Sequence, residues 1–228
     1  MDTGKPGSLS ILVVDDVRFT RLNLARMLQR MGHTEVCEAE DGAAALRLLE
    51  GKSVDCVISD LDMPNVNGLE LLKAIRTGTG SIRRSVPVVF LTGHSELEHL
   101  GPALLLDLDA FLAKPVSQQA VERCLAELFD PQKKPKHALA EANFYAEVDL
   151  APTAPEQSGN ASVEGEEPVG RAVPLANVPA NAVLARDLLY ANGRLLLRAG
   201  SKLSPQVLDR LRDMAALTGL AETVWILN

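Results

Sequence analysis

Over its first 130 positions the chain alternates short apolar runs with longer stretches in which apolar residues recur every three or four places. The runs "ILVV", "CVIS" and "VPVVFLT" are apolar at nearly every position, as in strands covered on both faces. The pattern predicts β at 10–14, α at 17–31, β at 35–39, α at 41–50 and β at 54–59. It continues with α at 66–77, β at 86–91, α at 95–106, β at 109–113 and α at 117–129. Five consecutive β/α units of this kind specify an α/β fold, a doubly wound five-stranded parallel sheet with helices on both faces.

The character changes at Asp130. Seven of the thirteen prolines fall between Pro131 and Pro179, and "APTAPEQSGNASVEGEEP" has no apolar period to bury, so 131–170 is expected to be a flexible, disordered linker. The patch "ANFYAEVDL", 142–150, reads as a chance apolar island in that tether, with a docking segment as the alternative. Residues 171–228 read as a small α+β module. In "DLLYANGRLLLRAG" two apolar runs flank Asn192-Gly193, which suits a type I′ turn because both central positions need positive φ. A β-hairpin is therefore expected, followed by a helix with Ser204 as N-cap, Pro205 at its first position and Gly219 as its stop. The closing "TVWIL" is a strand. Three parts result: a folded domain at 8–130, the linker at 131–170 and the module at 171–228.

Composition narrows the possible partners. Of the 228 residues 46% are hydrophobic and only 4% aromatic, so the cores must be built from Leu, Val, Ile and Ala. Residues 1–130 carry 19 acidic and 13 basic side chains and residues 161–228 carry 7 of each, so neither part offers the basic face of a nucleic-acid binder. Cys37, Cys56 and Cys124 are odd in number, lack CxxC spacing and sit inside apolar patterns, the signature of buried free thiols in a reducing compartment. There is no leader-like apolar region at the N-terminus and no apolar run approaches the roughly 18 residues of a membrane span. A cytoplasmic protein without a membrane segment is the expectation.

In an open parallel α/β sheet, ligands collect beyond the carboxyl ends of the strands, where strand order reverses. Asp15 and Asp16 close the first predicted strand, Asp60 the third, Thr92 the fourth and Lys114 the fifth. Carboxylates about 4 Å apart repel by roughly 4 kcal/mol at an effective dielectric of about 20, so three ionised ones require a compensating cation. Mg2+ prefers oxygen ligands and keeps several waters, which suits a shallow acidic site open to a phosphoryl donor. A carboxylate there can act as nucleophile towards phosphorus, forming an aspartyl phosphate, while an amine and a hydroxyl contact the phosphoryl oxygens. Taken singly, each residue has a plainer reading. Asp15 and Asp16 would cap a helix, Thr92-Gly93 form a turn, Lys114-Pro115 form a solvated loop and Phe111 fill the core.

Taken in order, "VVDD", "VISDLDMPNVNGLELL", "VVFLTGHSE" and "DAFLAKPV" resemble the CheY-like receiver domains of two-component response regulators, over about residues 8–130. That resemblance implies a flavodoxin-like fold and a phosphoacceptor at Asp60. It implies Mg2+ held by Asp15, Asp16 and Asp60, with Asp62 lending its backbone carbonyl. It further implies a phosphoryl-binding pair in Thr92 and Lys114, a repositioning aromatic at Phe111 and a cis peptide before Pro115. The donor would be a sensor histidine kinase or a histidine phosphotransferase. Two positions depart from the pattern: Gly101-Pro102 inside the fourth helix implies a short or kinked helix, and "LLDLDAF" leaves Asp107 to supply any positive φ before the fifth strand.

The C-terminal run "LARD…GRLLL…AG", about residues 173–227, resembles the small segment adjoining HD-GYP phosphodiesterase domains. The histidines are His33, His94, His99 and His137, with no His-Asp pair, so no catalytic output is expected and the protein is read as a phosphoacceptor, not an enzyme. The favoured output is a downstream protein partner bound through this module. A transcriptional regulator with an atypical DNA-binding end is disfavoured by the neutral charge balance. A cyclic-dinucleotide sensor would use Arg186, Arg194 and Arg198, which otherwise form a solvated face.

Overall fold

The structure, a computed structural model, describes residues 8–93, 100–132, 139, 141–146, 148, 150, 170–189, 195–205, 207–209, 211–212 and 223–227. Its elements follow the predicted alternation: β1 Ser10–Val14, α1 Arg18–Arg30, β2 Glu35–Ala39, α2 Gly42–Gly51, β3 Cys56–Asp60 and α3 Gly68–Thr77. These are followed by β4 Val88–Thr92, α4 Leu100–Leu105, β5 Ala110–Ala113, α5 Gln118–Leu128 and a short α6 Ala142–Ala146. β1 to β5 form one parallel sheet in the order β2-β1-β3-β4-β5. This is the flavodoxin-like order, and the chain reverses direction across the sheet between β1 and β3.

Burial explains the continuous apolar runs. Ile11 to Val14 of β1 and Val88 to Leu91 of β4 are inaccessible to solvent at every position, because helices cover both faces. On one face Ile11, Val13, Ile58, Val89 and Leu91 meet Leu24 and Leu28 of α1 and Val121 and Leu125 of α5. The helices begin where polar side chains take up free backbone donors. Asp41 Oδ1 accepts from Ala44 N at 2.7 Å, Ser117 Oγ accepts from Ala120 N at 3.2 Å, and Asn67 and Glu70 form a reciprocal capping box.

The differences from the sequence reading are local. β3 and β4 begin two residues later than predicted, since Val54 and Val86 are buried outside the ladder and apolar pattern alone does not mark where pairing starts. The described part of α4 is six residues long and contains Pro102; 94–99 lie outside the described residues. Asp107 has φ 52 and the Lys114–Pro115 bond is cis, both as expected. Cys56 and Cys124 are buried, but Cys37 is only half-buried and its Sγ accepts from Lys52 Nζ at 3.1 Å. Burial pushes the Cys56 thiol well up. Among the described residues no helix is long and apolar enough to cross a membrane.

The apolar patch at 142–150 is not an idle island. α6 lies against α3, with Tyr145 wholly buried and Val148 nearly so. Most of the remaining predicted linker, 133–138, 140, 147, 149 and 151–169, lies outside the described residues.

The chain divides into two compact units, one of residues 1–97 and 106–150 and the other of 98–105 and 151–228. The second unit is built from short antiparallel pairs. β6 Arg171–Pro174 pairs with β11 Thr223–Ile226, β7 Ala182–Val183 with β10 Lys202–Leu203, and β8 Leu188–Leu189 with β9 Leu195–Leu197. β8 and β9 stand where the hairpin was expected, while the Asn192-Gly193 turn and Gly219 lie outside the described residues. Ser204 Oγ accepts from Val207 N at 3.2 Å, so Ser204 caps the helical segment that begins at Pro205. Leu184, Leu188, Leu196, Leu197, Leu203 and Ile226 are buried in this unit, and α4 packs on β9. β6, β7 and β10 escaped the sequence reading because strands of two to four residues carry too few positions to display alternation.

Asp41 gives a direct test of the capping logic. The Ala44 N–H, and after it the Asn65 side chain, hold its carboxyl below the ordinary value of 3.8. A carboxyl depressed on folding adds stability that is present above pH 3.8 and is lost as pH falls through its folded-state value. Asp41→Ala should therefore lower the urea-unfolding free energy of the chain by about 1 kcal/mol at neutral pH. The gap between variant and wild type should narrow below pH 3.8.

Candidate functional site

The parallel sheet brings the predicted residues to a single edge. Asp15 and Asp16 follow β1, Asp60 ends β3, Thr92 ends β4 and Lys114 follows β5, and the registers Val14↔Ser59, Asp60↔Leu91 and Thr92↔Ala113 set them side by side. Asp15, Asp16 and Asp60 each place a carboxylate oxygen within 4.8 Å of the others. Asp15 and Asp60 are buried and Asp16 is exposed.

Each buried carboxylate is held differently. Asp15 Oδ1 accepts from Val17 N at 2.8 Å, and its carbonyl accepts from Arg21 Nη1 at 2.6 Å, which fastens the acidic turn to α1. Asp15 Oδ2 is buried with no hydrogen-bond partner and lies 4.0 Å from Lys114 Nζ. Asp60 Oδ1 accepts from Leu61 N at 2.8 Å and from Lys114 Nζ at 2.6 Å. Lys114 is placed by its own backbone, whose N–H donates to Thr92 O at 2.8 Å and continues the β4–β5 ladder. Burial first, and then the negative charge of Asp60, raise the Asp15 carboxyl above its ordinary 3.8 against the opposing pull of the Val17 N–H and Lys114. One ammonium does not balance three carboxylates. An all-oxygen donor set with a buried, unpartnered oxygen suits a hard divalent cation.

The other predicted residues surround this cluster. Thr92 is half-buried at the end of β4 and Asp62 is exposed two residues past Asp60. Phe111 is half-buried on β5, in register with Phe90, and the two rings meet edge to face at 6.4 Å and 61°.

Sequence reasoning missed the residues that brace the Asp60 loop. A Cβ on Gly68 would stand 2.5 Å from Asp60 O and 2.9 Å from Leu61 Cα, so only glycine lets α3 begin directly beneath the site. Gly42 plays the same part for α2: its N–H donates to Val66 O at 3.0 Å, and a Cβ there would sit 2.5 Å from that oxygen. Asn65, at φ 64, donates to Asp41 Oδ2 at 2.8 Å and ties the loop to the cap of α2. The glycine in "NVNG" and the Asp-Gly pair before α2 were the visible signals. Nothing in the linear chain shows which backbone they must clear.

A parallel five-stranded sheet carrying an acidic cluster with one lysine at its carboxyl edge defines an open α/β domain with a candidate ligand site at that edge. Comparison with known proteins gives the family: residues 11–126 match the response regulator receiver domain, and the chain belongs to that family. The chemotaxis protein CheY of Pseudomonas aeruginosa is 27% identical over 122 residues, 54% of this chain and 97% of that protein. The sensory/regulatory protein RpfC of Xanthomonas campestris pv. campestris is 36% identical over 121 residues, 53% of this chain but 16% of its own length. The CAI-1 autoinducer sensor kinase/phosphatase CqsS of Vibrio cholerae is 32% identical over 111 residues, 49% of this chain and again 16% of its own length. In these three relatives the similarity covers about half of this chain.

Gly68→Ala should destabilise the chain by about 1–3 kcal/mol, through the backbone clash at Asp60 and Leu61. Gly51→Ala, with nothing within 4 Å of the new methyl, should leave stability unchanged or slightly raised. Urea midpoints of the two variants check the contrast.

Proposed function

We propose that this protein is a response regulator of a two-component phosphorelay that accepts a phosphoryl group on Asp60 with Mg2+ and switches a protein-interaction surface. The observation that carries the reading is the buried, unpartnered Asp15 Oδ2, set in a triad of carboxylates whose Asp60 is held by Lys114 at 2.6 Å. Asp15, Asp16 and Asp60 would hold the ion, with the Asp62 backbone carbonyl as a further oxygen. When bound, Mg2+ supplies charge neutralisation at the transferring phosphoryl group.

The chain's own residues do the rest. A carboxylate oxygen of Asp60 attacks phosphorus, the bond from phosphorus to the donor atom breaks, and that atom leaves with the electron pair. Leu61 N–H and Lys114 fix the orientation of the nucleophile, and Lys114 and the Thr92 hydroxyl receive the phosphoryl oxygens. The new group adds about −1.5 to −2 charges. Thr92 moving towards it vacates space that Phe111 fills, shifting the population of β4–β5 conformers only as far as the phosphoryl group distinguishes between them.

The donor is a sensor histidine kinase or a histidine phosphotransferase, a reading supported by relatives whose names are those of sensor proteins. The chain acts as a phosphoacceptor without catalytic output. Residues 171–228, resembling the segment beside HD-GYP domains, bind a downstream protein. A protein contact is favoured over cyclic-dinucleotide capture because the Arg186 guanidinium already stacks over the Trp225 ring, 3.9 Å from its centroid.

Two measurements test this. Incubation with radiolabelled acetyl phosphate and Mg2+ should label the protein through a hydroxylamine-labile bond, with no label after Asp60→Asn or in EDTA. Lys114→Ala should slow labelling about 10²-fold; labelling that survives Asp60→Asn unchanged would refute the assignment. In thermal unfolding, Mg2+ at about 100 times its Kd should add roughly 2.7 kcal/mol of stability, and Asp15→Asn should abolish that increment.

A further inference from the structure

α6 and Val148 have no part in the chemistry above, yet they are firmly seated. Tyr145 is wholly buried, its hydroxyl donates to Asp107 Oδ2 at 2.5 Å, and the Arg84 guanidinium lies 5.6 Å from its ring centroid. Val148 is 7% exposed and its carbonyl accepts from Lys73 Nζ at 2.8 Å. The seat therefore draws on α3, the α3–β4 loop and the turn before β5, all remote in the chain from Tyr145.

Arg76 knots those places together. Its guanidinium is buried and donates to the carbonyls of Arg84 at 2.6 Å, Val86 at 2.9 Å and Asp107 at 3.0 Å, and to the Asp109 carboxylate at 2.7 Å. Arg84 Nε returns a bond to Arg76 O at 2.6 Å, and Asp109 Oδ2 also accepts from Val88 N at 2.8 Å. Tyr145 thus closes over a polar knot that anchors the amino ends of β4 and β5. The carboxyl ends of the same two strands carry Thr92 and Lys114. Between knot and site the pair is in register throughout, from Val89↔Ala110 to Thr92↔Ala113, a span of about 10 Å at roughly 3.3 Å per residue.

We infer that residues 142–146 and 148 belong to a state-sensitive strap, seated in the form described and released when Asp60 carries a phosphoryl group, with the β4–β5 pair as the link. The inference rests on the reading of Asp60 as phosphoacceptor. The direction follows from the contacts. With Tyr145 at 0%, Asp107 at 5% and Val148 at 7% exposure, the seated strap has almost nothing left to gain, so a displaced β4–β5 pair loosens it. Release frees the segment leading towards residues 171–228 and uncovers the face of α3 that Tyr145 covers. Coupling of this kind is reciprocal: whatever unseats the strap favours the phosphorylated conformer by the same factor.

Hydrogen exchange on the full chain, with Mg2+ alone and with Mg2+ plus beryllofluoride, tests the inference. Amides of 142–148 should exchange at least fivefold faster with beryllofluoride, while those of 58–64 beside Asp60 become slower. Tyr145→Phe keeps the ring and removes the hydroxyl; it should unseat the strap without the anion, and the beryllofluoride Kd should fall in the same proportion. Protection at 58–64 with an unchanged strap would overturn the coupling and leave the phosphoacceptor reading standing. No protection at 58–64 at any beryllofluoride concentration would overturn that reading and the coupling with it. A Tyr145→Phe chain with an unseated strap and an unaltered Kd would make the strap a structural clasp only; the wild-type comparison needs no variant to fold.

Discussion

Repulsion among three carboxylates at the edge of a parallel sheet is the constraint around which the first unit is organised. Asp15 and Asp60 are buried, one Asp15 oxygen is unpartnered, and the charge of Asp60 adds to the desolvation that already raises the Asp15 carboxyl. Such an arrangement opposes folding and persists because surrounding backbone donors and Lys114 hold it in place. On the proposed reading that unfavourable term is the functional one, since a pocket that draws positive charge in beside a carboxylate is what phosphoryl acceptance requires.

Holding that edge together needs glycines and asparagines more than apolar mass. Gly68 lets α3 start against Asp60, Gly42 lets α2 start against Val66, and Asn65 joins the loop to the cap of α2. At the opposite edge Arg76 does comparable work with a buried cation, donating to three carbonyls and the Asp109 carboxylate as α3 meets β4 and β5. The β4–β5 pair runs between these two polar centres. This makes it the natural carrier of any change at the site, and α6 rests on its far end.

The sheet and its carboxyl-edge residues were legible in the chain because both obey short-range rules. Consecutive apolar positions mark doubly covered strands, amphipathic periods mark helices, and "VVDD", "ISD", "FLT" and "FLAKP" each place a polar group where a strand ends. Even the positive φ of Asp107 could be anticipated, because the turn before β5 had no glycine to supply it. The carboxylate of that residue as the seat of Tyr145 could not be, since the two lie 38 positions apart. The α6 segment was misjudged for the same reason. The apolar patch at 142–150, set among prolines, looks idle until Lys73, Arg84 and Asp107 are found beside Tyr145 and Val148. The two-residue strands β7 and β10 in the second unit had no period to reveal them.

The amino-acid sequence by itself determined the βα alternation, the parallel sheet and the identity of the groups at its carboxyl edge, because strand period, helix period and strand-end position are properties of neighbouring residues. Tertiary structure decided the rest. Which Asp15 oxygen lacks a partner, which carboxylate Lys114 grips, what Gly68 must clear and where Tyr145 is buried all depend on distances between segments remote in the chain, and packing alone sets those distances.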